Sequence, residues 1–390
     1  MTLRPDVAVV GAGAFGGWTA FYLQQRGARV ALLDAWGAGN PRGTSSGETR
    51  IIRATYGEKA IYSEWAMRAR SLWLDWEREW GVPMLVPCGV LWFWTGQPEY
   101  FRHSITALER LHVPYERFGP DELARRYPQM SNAGIESAIL ETQTGILRAQ
   151  RATQAVAEEV ARRGGDVRIG VAPPLKGTGP RLERLRLERG GSIEAGAYVF
   201  ACGPWLPQIF PEVLGKRIVV TKQDIFYFGN PAGDTHFDAA RFPAWADYDT
   251  EFYGTPACDV SGFKVASNLS RGFFDPTRGE RIVDNESLAA ARAYLARRFP
   301  AMAGAPLVRA RVCQYERTPD SHLVMDRHPD YQNVWMVGGG SGHGFKLGPA
   351  LGEFLSRVVL ENDRESIPAE LRLGAVAFTE TSEFPDKAVF

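Results

Sequence analysis

The sequence is short of cysteine, of net charge and of long apolar runs near its start, and each shortage removes a class of protein. Four cysteines in 390 residues, Cys88, Cys202, Cys258 and Cys313, show no C-x-x-C spacing. That argues against a disulfide framework or a zinc site and for a reducing compartment, and no metal is expected. Forty-five Lys and Arg balance forty-five Asp and Glu, so no global field draws the chain to nucleic acid or anionic lipid. The first apolar run, Val7 to Val10, is too short for a signal-peptide core or a membrane span. The expectation is a cytoplasmic protein with no nucleic-acid and no membrane partner.

What is present is globular composition, 45% hydrophobic and 23% charged, in a chain long enough for two or three domains of ~150 residues. The first thirty-four residues read as strand, turn, helix and strand: Val7 to Val10, the turn Gly11-Ala-Gly13-Ala14-Phe15-Gly16, an apolar helix through Leu23, then Val30 to Asp34. In that context Gly11 permits a tight turn, Gly13 admits a pyrophosphate to the backbone N–H groups, and Gly16 lets helix pack on strand. Asp34 stands where an acidic group accepts hydrogen bonds from a ribose. This is a dinucleotide fingerprint, and by itself it leaves NAD and FAD both open.

Further along, Tyr62, Trp65, Ala69, Leu72, Trp73, Trp76 and Trp80 recur at helical spacing before Gly81 and Pro83, a stripe read as core. Strands are predicted at Cys88 to Trp94, Ile135 to Glu141, Val167 to Gly170, Leu182 to Glu188 and Tyr198 to Ala201, and helices at Glu99 to His112 and Gln150 to Arg163. From Arg217 to Arg311 aromatic-rich strands such as Ile218 to Phe228 dominate, with one helix at Leu288 to Phe299. A second glycine-rich turn, Gly338 to Gly344, follows the strand Asn333 to Val337 and precedes a helix from about Phe345 to Leu360. Its helix start is another place for an electron-rich group. The predicted fold is therefore α/β plus α+β: a discontinuous Rossmann-like nucleotide domain in residues 1–88, 145–216 and 319–390, and an inserted, mainly antiparallel-sheet substrate domain in 89–144 and 217–318. Residues 361–390 lack periodicity and read as a surface tail.

Five segments in order resemble the D-amino-acid-oxidase superfamily of flavoproteins, and within it the monomeric sarcosine oxidase and N-methyltryptophan oxidase group. They are Val9-Val10-Gly-Ala-Gly13; Gly47-Glu-Thr49-Arg50-Ile-Ile-Arg53 with Tyr56-Gly57-Glu58; Gly262-Phe-Lys264; Val312-Cys313-Gln-Tyr315; and Gly340-Ser-Gly342-His343-Gly344-Phe-Lys346. The resemblance implies FAD, with adenosine at Gly11 to Gly16 and Asp34, and Ser46, Thr49 and Arg50 beside the cofactor. It implies backbone donors from Gly342, His343 and Gly344 toward the flavin, Lys346 nearby, and a thioether to Cys313, whose thiolate Arg309 and Arg311 would favour. A free cysteine is also an ordinary small core residue.

Lys264 matches the lysine that assists dioxygen, with Arg50 adding positive field and Tyr315 completing the catalytic set. Arg53 and Lys346 match the cations that bind a substrate carboxylate, and Tyr253 matches a ring beside the substrate. Tyr253 and Tyr315 also suit a core. Ser46 and Asn268 stand where sarcosine oxidases are expected to carry histidines, which separates this chain from sarcosine itself. Trp92, Trp94, Phe226, Tyr227, Phe228 and Trp245 suit either a pocket for a bulkier amino acid or core. The implied function is FAD-dependent oxidation of a carboxylate-bearing secondary amine, an N-alkyl or cyclic amino acid, by a monomer or small homo-oligomer, with O2 reduced to H2O2. The competing readings are a dehydrogenase passing electrons to a protein or quinone, and a non-catalytic flavin-fold subunit of a larger complex.

Overall fold

The structure is a computed structural model, and it describes residues 4–175, 179–269 and 272–374. Among these residues Val7–Val10 lies between Val30–Asp34 and Ala197–Phe200, all parallel. Asp166–Ile169 extends this sheet on one side, and Val334–Gly338 then Val324–Arg327 extend it on the other, the last antiparallel. The first strand is apolar throughout because both faces are covered. Val7 and Val9 pack into one core cluster, and Ala8 and Val10 into another.

Gly11 ends the strand at φ +104°, and a Cβ there would sit 2.3 Å from the Ala201 carbonyl oxygen, so only glycine makes the turn. The helix Ala14–Gln25 follows, buried from Ala14 to Leu23. Gly348–Glu361 crosses it closely because Gly352 has no side chain to hold it off Trp18. Trp18 also meets Trp73 edge-on at 5.1 Å and stacks on Trp80, so the tryptophan stripe of Ala60–Trp80 is core, as its spacing predicted. Trp18→Ala is expected to cost about 3–5 kcal/mol, which a thermal melt of the flavin-loaded protein checks.

The larger sheet runs Leu307–Arg317, Val219–Phe228, Phe263–Ser267, Phe252–Thr255, Ala244–Asp247, Val90–Trp94, Ser137–Glu141 and Tyr115–Phe118. Its pairs are antiparallel except Ala244–Asp247 with Val90–Trp94. Strand alternation divides the rings. Phe226, Phe228 and Trp245 face the core under the helix Asn285–Arg298, and Trp94 packs on Phe101. Of the rings considered for the pocket, Trp92 lines one of the two cavities described below, and the other five line neither.

Three local expectations are corrected. Leu182 to Glu188 yields only the two-residue strand Leu185–Arg186, paired with Ser192–Ile193. The late helix begins at Gly348, after a 3-10 turn at Phe345–Leu347. Nor is the segment after it a surface tail throughout: Ile367 and Leu371 are buried in the core, and Arg364 holds Asp326 at 2.6 Å. The rest of the expected tail, 375–390, lies outside the described residues.

Candidate active site

Two cavities meet where the sheets meet. The first is long. It is lined by Asp34, Trp36, Gly170 and Trp205, by Gly11, Ala12, Gly13, Ala14, Phe15 and the loop Gly43–Ser46, and by Cys202, Glu316 and Gly340. Ser45 shapes the glycine turn by accepting a hydrogen bond from Ala14 N at 2.9 Å, and Asp34 Oδ2 accepts from Ala12 N at 2.9 Å. The second cavity is lined by Ile51, Arg53, Val90, Trp92, Ile225, Ala246, Tyr253, Lys264, Asn268, His343 and Lys346. Arg50, Cys313, Tyr315, Gly342 and Phe345 line both, so they form the boundary between the two spaces.

Each cation in this region is held. Arg50 donates to the carbonyls of Thr49, Thr44 and Ser46 at 2.7–2.8 Å and reaches Cys313 Sγ at 3.9 Å. Lys264 Nζ donates to the Thr49 carbonyl at 3.4 Å and lies 5.2 Å from the Tyr253 ring centre. Tyr253 and Tyr315 share a 2.7 Å hydroxyl hydrogen bond. Arg53 donates to the Thr55 carbonyl and lies over Tyr56 at 4.1 Å and Trp92 at 5.0 Å. Lys346 Nζ donates to Tyr56 Oη at 3.1 Å and to the His343 carbonyl at 2.8 Å.

Residues 6–358 match the FAD dependent oxidoreductase family. The chain belongs to that family. It is 29% identical over 364 residues to the monomeric sarcosine oxidase of Streptomyces avermitilis, covering 91% of this chain and 93% of that one. It is 24% identical over 353 residues to the N-methyl-L-tryptophan oxidase of Yersinia pestis, covering 89% and 93%. Among solved structures, L-proline dehydrogenase from P. horikoshii superimposes with a TM-score of 0.81 at 20% identity, covering 94% of this chain and 96% of that one. The fold is the Rossmann-like FAD-binding fold of these flavoenzymes.

The residues present fit FAD. The long cavity starts at an acid suited to a ribose, passes the start of a helix suited to a pyrophosphate, and ends against Arg50, Cys313 and Tyr315. Glycine keeps the far end open: a Cβ on Gly342 would stand 2.7 Å from the Tyr315 ring.

Most residues expected at the cofactor do line its cavity: Gly11, Gly13, Ala14, Phe15, Asp34, Ser46, Arg50, Cys313, Gly342 and Gly344. Four do not. Gly16 lies under the turn, where its missing Cβ leaves room for the Gly11 carbonyl. Thr49 is buried and contributes its carbonyl to Arg50 and Lys264. His343 and Lys346 line the second cavity. Of the three expected backbone donors, the N–H groups of His343 and Gly344 return to the Gly340 carbonyl, at 2.8 and 3.0 Å, while Gly342 lines both cavities. Arg309 and Arg311 are paired with Glu48, leaving Arg50 as the guanidinium at Cys313.

Burial sets the electrostatics. It pulls Lys264 down to about 7, with Arg50 pushing in the same direction. Burial and then Arg53 hold Lys346 well below the usual lysine range, and burial and then Lys346 keep His343 well below the usual histidine range. Glu316, which sequence reasoning missed, is raised to about 7 by burial while accepting from Gly339 N at 3.1 Å. Ser45, Glu316 and Tyr56 carry no signal of their own in the sequence, although each lies in or within two residues of one of the family-like segments.

Proposed function

We propose that this flavoenzyme is an oxidase of a carboxylate-bearing secondary amine, an N-alkyl or cyclic amino acid. One observation carries the reading. Arg53 and Lys346 are buried together in a small chamber, only 4% and 5% exposed, and among the described residues neither forms an ion pair, while the chamber's far wall is the boundary with the cofactor cavity. Two buried cations lacking an ion-pair partner stabilise an incoming carboxylate. Trp92, Val90, Ile225 and Ala246 give the chamber an apolar side, which together with the buried cations favours the neutral amine over its ammonium form.

FAD held here would supply a two-electron acceptor for a hydride from the carbon beside nitrogen and a two-electron donor to dioxygen, which would leave with two protons as H2O2 while water hydrolyses the imine product. The chain's own part is positional. Arg53 and Lys346 fix the carboxylate, which turns the α-carbon toward the Cys313–Tyr315 wall. The Tyr253–Tyr315 pair bounds the amine on one side, and Lys264 supplies positive charge where dioxygen is reduced. Cys313, which Arg50 reaches at 3.9 Å, is the residue that would hold the flavin through a thioether. The enzyme works as a cytoplasmic monomer or small homo-oligomer; among the described residues no helix is long and apolar enough to cross a membrane.

The test is a visible spectrum followed by anaerobic titration with N-methyl and cyclic amino acids. Bleaching by one of them, with faster reoxidation by O2 than by a quinone, is expected. Bleaching that only a quinone reverses would make the enzyme a dehydrogenase, and no bleaching by any carboxylate-bearing amine overturns the substrate reading. Acid precipitation tests the linkage: yellow colour is expected in the wild-type pellet and in the supernatant of Cys313→Ser.

A further inference from the structure

We infer that Glu141 is a positioning residue, the anchor and counter-charge that keep Arg53 and Lys346 set as a carboxylate clamp. The inference rests on the function proposed above and extends it to a residue of the large sheet that does not itself line the chamber. Glu141 ends the strand Ser137–Glu141, where it pairs with Val90 and Tyr115 across the large sheet. It is fully buried. Its carboxylate accepts from Ala54 N at 2.6 Å, from Thr55 N at 3.1 Å and from the Thr55 hydroxyl. These are the residues that immediately follow Arg53, and the Thr55 carbonyl is what the Arg53 guanidinium holds. Tyr100 Oη donates to the same carbonyl at 3.0 Å.

Glu141 therefore fixes the Arg53 loop to the sheet whose Val90 and Trp92 wall the chamber. A carboxylate accepting backbone N–H groups is a charge-assisted anchor, and losing it leaves buried donors unpaired. Its charge matters as well. The groups that face the Lys346 ammonium are Arg53, Arg50, the Tyr56 hydroxyl, the His343 carbonyl and Glu141. Among these charges Glu141 is the acid, and it holds the lysine proton on while Arg53 and burial drive it off.

The test compares furan-2-carboxylate with furan-2-carboxamide, read by perturbation of the flavin spectrum in the holoenzyme from pH 6 to 10. Wild type is expected to prefer the carboxylate, and to lose part of that preference as pH rises and Lys346 discharges, Arg53 retaining the remainder. Glu141→Gln sets an amide N–H against Ala54 N–H and removes the charge. It is expected to cut the preference about tenfold and to move its loss to lower pH, with carboxamide binding changed less than about threefold. Equal weakening of both ligands with an unmoved pH profile makes Glu141 merely structural and overturns the inference. A wild type without preference for the carboxylate overturns the proposed clamp itself, and the role of Glu141 with it. Should Glu141→Gln fail to retain flavin, Thr55→Val removes one bond to Glu141 and is expected to lower the preference in the same direction, whereas an unchanged preference overturns the inference.

Discussion

Lys264→Met is expected to slow reoxidation of the reduced enzyme by dioxygen about 10²–10³-fold, with anaerobic reduction by the amine altered less than about tenfold. Lys264 is buried at 1% exposure, and its ammonium faces the boundary wall rather than solvent. In such a site a fixed positive charge costs no reorganisation when electrons pass to oxygen and negative charge develops, so its removal falls on that half of the cycle. The pH dependence has a definite sign. Burial and Arg50 hold Lys264 at about 7, so the ammonium prevails below that value and the neutral amine above it. Wild-type reoxidation should therefore slow as pH rises through that region. A nearby negative charge delays the fall to higher pH without abolishing it. Lys264→Met should be slow and flat over the same range. Stopped-flow measurement of the two half-reactions separates these effects, and equal slowing of both halves would make Lys264 a structural residue.

What the sequence disclosed about this site divides along physical lines. The strand, glycine turn, helix and acid of residues 7–34 are local, and they stand where their spacing placed them. Arg53, Lys264, Cys313 and Lys346 come from four distant segments, and only the family resemblance brought them to one place. Glu141 has no such signal, because a glutamate at a strand end reads as solvent-exposed until tertiary contacts supply three donors. The aromatic strands were ambiguous for a related reason. Period-two alternation says that Phe226 and Tyr227 face opposite ways, but which face meets the helix is decided by the sheet's partners. The late glycine turn closes on itself, with the N–H groups of His343 and Gly344 both returning to the Gly340 carbonyl, and short-range hydrogen bonding of that kind leaves no mark in composition.

Arg53→Met is expected to weaken binding of the amino-acid substrate about 10²–10³-fold, within the range for removing one side of a buried charge pair, while the limiting rate of flavin reduction falls much less. Methionine retains much of the bulk over Tyr56 and Trp92, so the chamber's walls stay in place and the lost term is the charged fork. The carboxylate would then rest on Lys346 alone, a lysine that burial already disfavours as the cation. Relief of the Arg53 field returns some of that charge, because Arg53 is the second cause of the lowering. For this reason the loss should stop short of abolition and should grow at high pH, where Lys346 discharges. Arg53→Lys keeps a charge without the two-pronged geometry and should lie between wild type and Arg53→Met. Anaerobic reduction at varied substrate concentration, repeated at two pH values, reads both quantities. An unchanged apparent affinity in Arg53→Met would place the carboxylate elsewhere in the chamber and remove the reason for two buried cations to stand there.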